Sequence, residues 1–78
     1  MTIKQRVMET VMTAPKTKVQ GRTYYAVDHA EILGLSNSPD SATRRLREMA
    51  NDAGTFLERR DGKILVRPEF VKWLKKNQ

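Results

Sequence analysis

Ile32 to Gly54, ILGLSNSPDSATRRLREMANDAG, is the stretch on which the fold of this chain turns. Ser36 to Pro39 is turn chemistry. Ser38-Pro39 reads as a helix start, because a serine oxygen caps free amides while proline needs no donor at the first helical position. At helical periodicity Ala42, Leu46, Met49, Ala50 and Ala53 then fall within one arc, and Asp40, Arg44, Arg47 and Asn51 point the opposite way. The expectation is an amphipathic helix with one side in a core and the other in water. Gly54 supplies the left-handed residue with which helices commonly stop.

Upstream, Thr2 and Gln5 have capping-box spacing, and Ile3, Val7, Met8, Val11 and Met12 recur as a helix requires. This first helix is expected to run to about Ala14, where Pro15 ends it. Lys16 to Arg22 holds one isolated valine and a glycine and reads as an exposed basic loop. Thr23 to Val27, TYYAV, is β-branched and aromatic and predicts a short strand. Asp28 with Glu31 repeats the capping-box pattern, and Ala30, Ile32, Leu33 and Leu35 predict a short, largely buried second helix ending near Gly34.

Downstream, Phe56 to Arg60 and Lys63 to Arg67 form a β-hairpin around Asp61-Gly62, a dipeptide that readily takes the positive φ angles of a two-residue turn. That turn sets the register: Arg60 opposite Lys63, Arg59 opposite Ile64, Glu58 opposite Leu65, Leu57 opposite Val66. Leu57, Arg59, Ile64 and Val66 therefore share one side, and the three apolar residues mark it as the core side. Pro68 opens a last helix with Phe70, Val71 and Leu74 inward, Trp73 beside them, and Lys72, Lys75 and Lys76 outward. The predicted class is α+β and mostly helical, a single domain over 1–78 with a core at about 3–67 and a C-terminal helix at about 68–77.

Composition narrows the function. A chain of 78 residues with 38% hydrophobic content builds a thin core, worth roughly 3–5 kcal/mol without staples, which argues against a deep catalytic cavity and so against an enzyme. The absence of cysteine removes thiolate nucleophiles, disulfides and Cys-based zinc sites and fits a reducing, cytoplasmic setting. Lys4, Arg6 and Glu9 interrupt the first apolar pattern, so neither a signal peptide nor a membrane span is expected there. His29 has neither a metal-spacing partner nor a serine-acid constellation, and reads as an ordinary helix-start residue; no metal or cofactor is expected. Lys and Arg outnumber Asp and Glu by 15 to 9, a net charge of +6 that attracts polyanions.

The order helix, short strand, helix, turn, helix, hairpin resembles the winged helix-turn-helix family over roughly Ile3 to Arg67. Ser41-Ala42-Thr43-Arg44-Arg45-Leu46-Arg47 looks like its recognition helix and Phe56 to Pro68 like its wing. The resemblance implies a three-helix core with a short first strand, a β-hairpin wing and a C-terminal helix. It also implies double-stranded DNA as partner, with Ser41, Thr43, Arg44 and Arg47 toward the major groove, Arg45 nearer a phosphate, and Arg60 and Lys63 at the wing tip. Lys16, Lys18, Arg22 and Ser38 are candidate phosphate contacts. The expected role is a small transcriptional regulator or a DNA-transaction accessory factor of the kind phages and mobile elements encode, nucleoid-associated when bound. A homodimer through Phe70 to Leu74 would enlarge the interface, and no small-molecule effector is evident. Rival readings are an interaction module for an acidic protein, and RNA binding.

Overall fold

The apolar stripe of the arginine-bearing helix organises the molecule. The computed structural model describes residues 2–77. Among them the elements are α1 (Ile3–Met12), β1 (Lys16–Val19), β2 (Arg22–Asp28), α2 (His29–Leu33), α3 (Pro39–Ala53), β3 (Leu57–Arg60), β4 (Lys63–Val66) and α4 (Pro68–Lys76). The strands form one antiparallel sheet in the order β1-β2-β4-β3. No helix among the described residues is long and apolar enough to cross a membrane.

α3 follows its sequence pattern closely. Ala42, Leu46, Met49 and Ala50 are buried, and Gly54 closes the helix at φ 72°. Its start differs in chemistry from the expectation, since the Ser38 side chain makes no capping hydrogen bond. The Ser38 amide instead donates to Ser36 Oγ at 3.2 Å, so Ser36 shapes the turn while Ser38 contributes its carbonyl to Ser41 N–H. Thr2 and Gln5 form the expected reciprocal capping box on α1. α1 ends at Met12, short of Ala14, where the Thr13 hydroxyl donates back to the Glu9 carbonyl at 2.9 Å. Asp28 caps α2 by accepting from Ala30 N–H at 3.1 Å.

The largest correction falls on Lys16 to Arg22. These residues are no loop: β1 pairs with β2 as a hairpin about Gln20-Gly21, with Lys16 opposite Tyr25 and Val19 opposite Arg22. Gln20 and Gly21 both take positive φ, 52° and 79°, the same conformation that Asp61 (51°) and Gly62 (76°) use at the other hairpin. The strand expected at TYYAV is correspondingly longer. Thr17 and Val19, half-buried between exposed lysines, carry the period-2 alternation, and it is weak because the lysines dominate the composition.

The β3–β4 register is the expected one, Leu57 opposite Val66 through Arg60 opposite Lys63. β4 also pairs with β2, Tyr25 opposite Val66 and Asp28 opposite Lys63, which welds the hairpin to the helical layer. Val27, Ile64 and Val66 face the helices and join Val7, Val11, Ile32, Leu46, Phe70 and Leu74 in one core, with Leu57 half-buried against it. The opposite face of β4 carries Lys63 and one apolar residue, Leu65. Leu65 and Tyr24 are buried there, and the Arg67 guanidinium carbon lies 5.6 Å from the Tyr24 ring centroid.

Leu46 sits at full burial at the centre of this arrangement, whereas Phe56 is 88% exposed. Truncating Leu46 to Ala is expected to cost roughly 2–5 kcal/mol in urea unfolding. Phe56→Ser is expected to stay within about 0.5 kcal/mol of the parent. Equal losses for the two variants would contradict this assignment of the core.

Candidate functional site

α3 carries its cations on the side away from the core: Arg44, Arg45 and Arg47 are exposed, while Ser41 and Thr43 are half-buried at the margins of the stripe. Arg45 Nη1 lies 3.7 Å from Glu48 Oε1, an exposed pair that adds little stability but diverts that guanidinium toward its own helix. Arg44 and Arg47 make no ion pair among the described residues.

A groove of about 360 Å³ separates α3 from the β3–β4 hairpin, lined by Thr43, Leu46, Arg47, Leu57, Arg59 and Ile64. Its floor is apolar, and its charged side chains are two guanidiniums. Thr43 Oγ1 is buried without a hydrogen-bond partner. Arg59, which register places on the helix-facing side with Leu57, Ile64 and Val66, donates from Nη2 to His29 Nε2 at 2.9 Å. A guanidinium has only donors, so in this contact the imidazole Nε2 is the acceptor. The backbone N–H of His29 in turn donates to the Gly62 carbonyl at 3.1 Å, tying the start of α2 to the turn of the hairpin.

At the tip Arg60 and Lys63 face each other as the register requires. Their mutual repulsion is partly answered within the chain, because Lys63 Nζ lies 3.7 Å from Asp28 Oδ2. Arg60 is exposed and makes no such pair among the described residues.

The remaining candidates lie elsewhere. β2 runs from the Gln20-Gly21 turn at its Arg22 end to the Asp61-Gly62 turn beside the Asp28–Lys63 pair, so the two turns sit at opposite ends of the sheet. Lys16 and Lys18 occupy the edge strand farthest from β3, and Arg22 sits at the distant turn. They are thereby set apart from the groove, and Lys16 Nζ lies 5.8 Å from the Tyr25 ring centroid. Ser38 is exposed at the start of α3. In α4 the Phe70, Val71 and Leu74 side chains are taken up by the chain's own core, leaving half-buried Trp73, 6.1 Å from the Phe70 ring, as the apolar part of the proposed dimer segment still in reach of solvent.

Sequence reasoning passed over Arg59 and His29. A signal was present for Arg59: the turn-determined register puts it on the side of the ribbon that carries Leu57, Ile64 and Val66. Nothing in the sequence pairs it with His29, thirty positions away. Comparison with family models, with curated proteins and with solved structures gives no match.

Asp28 both caps α2 and pairs with Lys63, and the two roles separate by mutation. Asp28→Ala is expected to lose about 1 kcal/mol of stability, the usual worth of a cap, while Asp28→Asn keeps the capping oxygen and loses only a few tenths. Equal losses in denaturant unfolding would show that the ion pair, and not the cap, is the larger contribution.

Proposed function

We propose that the chain is a winged helix-turn-helix domain that binds double-stranded DNA, with α3 entering the major groove and the β3–β4 hairpin acting as the wing. The carrying observation is the juxtaposition of an exposed arginine face on α3, in which Arg44 and Arg47 have no ion pair among the described residues, with a hairpin bearing Arg59 and Arg60 on the far side of one groove. The element order and the pairing of β2 with β4 support the winged-helix reading, and the β1–β2 hairpin is an addition between the first two helices.

On this reading Arg44 and Arg47 reach base edges or phosphates, where a guanidinium donates two hydrogen bonds to guanine O6 and N7. Ser41 and Thr43 flank them. Arg45, turned toward Glu48, serves the backbone, and Arg60 and Lys63 neutralise phosphates at the wing. Counterion release from those phosphates supplies much of the affinity. B-form DNA suits this geometry better than duplex RNA, whose deep and narrow major groove does not admit a helix. A role as a small transcriptional regulator or a DNA-transaction accessory factor follows.

Fluorescence anisotropy with labelled duplex DNA tests this. Arg44→Ala and Arg47→Ala are each expected to weaken binding by about 1–3 kcal/mol, with affinity falling steeply as salt is raised. Unlabelled duplex RNA or an acidic peptide should compete poorly. Wild-type affinity in both variants, or displacement by RNA as effective as by DNA, would overturn the proposal.

A further inference from the structure

Arginine most often meets a carboxylate in a folded chain, and Arg59 does not. Its 2.9 Å partner is an imidazole nitrogen and no carboxylate, so the contact fixes the side chain without supplying a counter-charge. Arg47 faces the same groove from α3, also without an ion pair among the described residues, and no carboxylate is among the lining residues. Leu46, Leu57 and Ile64 complete the lining and offer no counter-charge to the two exposed guanidiniums. Thr43 also lines the groove, but its Oγ1 is buried and is not offered to a ligand there.

We infer that the groove between α3 and β3 is a phosphate-binding site, in which Arg47 and Arg59 share one phosphate group and His29 is a positioning residue that holds Arg59 in place. Two guanidinium forks lining one groove match the several acceptor oxygens of a phosphate, which arginine recognises by paired N–H donors. His29 suits the positioning role because its own backbone N–H is anchored to the Gly62 carbonyl, so the imidazole, the hairpin turn and Arg59 form one connected unit. The occupant that rests on the DNA reading is a backbone phosphodiester flanking the groove that α3 enters; free phosphate shares the chemistry and serves as the independent probe.

Two measurements separate the site from its source. In duplex DNA binding, Arg59→Ala is expected to lower affinity about tenfold and to reduce the salt slope by about one unit, with no change in sequence preference. Arg59→Lys should keep the slope and still bind more weakly, because it lacks the fork. His29→Ala should weaken binding with the slope intact, and His29→Gln, whose amide oxygen can accept from Arg59, should restore it. In the second measurement inorganic phosphate is titrated into the full chain while the arginine Nε–H resonances are followed by NMR. Arg47 and Arg59 should shift together, and the Arg47 shift should shrink in Arg59→Ala.

Wild-type DNA affinity and slope in Arg59→Ala, alongside losses in Arg44→Ala, would overturn the inference and leave the DNA reading standing. Failure of the wild-type chain to bind duplex DNA, with phosphate still shifting both resonances, would overturn the DNA reading and leave the site. No shift of either resonance with phosphate, or a shift with an acidic peptide alone, would overturn the site itself.

Discussion

Pairing of β2 with β4 is the constraint from which the rest follows. A lone two-stranded hairpin is marginal in water, and β3–β4 carries Glu58, Arg59, Arg60 and Lys63 around a tight turn, hardly a self-supporting ribbon. Antiparallel bonding to β2 over Tyr25 to Asp28 brings Ile64 and Val66 against Val27 and beneath the helices. That burial fixes which face of β4 looks inward, and a slip of one residue would exchange the inner set for the outer one. The same pairing sets the distance between hairpin and α3, and so creates the groove.

Much of this was legible in the residues. The apolar arc of α3, its glycine stop, the Asp61-Gly62 turn with its full register, and the inward residues of α4 all follow from local patterns, because each rests on short-range geometry. The β1–β2 hairpin escaped because Gln20-Gly21 is a less familiar turn pair than Asp-Gly, and Lys16 and Lys18 mask the alternation of Thr17 and Val19. Ser38-Pro39 reads as a side-chain-capped helix start, yet Ser36 makes the side-chain bond, a choice settled by turn geometry that composition does not encode. In the site, Arg44 and Arg47 were legible from helical phase. Arg59 with His29 was not, since contact between residues thirty apart needs the tertiary fold.

The cations divide into two sets by what surrounds them. Arg45, Lys63 and Arg67 each lie within 4 Å of a carboxylate, from Glu48, Asp28 and Glu69. Arg44, Arg47, Arg59 and Arg60 have no such neighbour among the described residues, and they cluster on α3 and β3. Lys4 and Arg6 on α1, Lys16, Lys18 and Arg22 on the first hairpin, and Lys72, Lys75 and Lys76 on α4 likewise have none among the described residues, so the net charge of +6 is spread over several faces and α3 with β3 holds one local cluster of it. Concentrated charge of one sign destabilises the free protein slightly and favours an anionic partner.

The sheet closes on neither side. β1 and β3 are its outer strands, each with a row of main-chain donors and acceptors that no neighbouring strand satisfies. Such borders invite a second molecule to zip on, and here they are guarded by Lys16 and Lys18 along one and by Glu58, Arg59 and Arg60 along the other. Charge on these borders disfavours edge-to-edge pairing between copies, and neutral replacements along β3 would remove that guard.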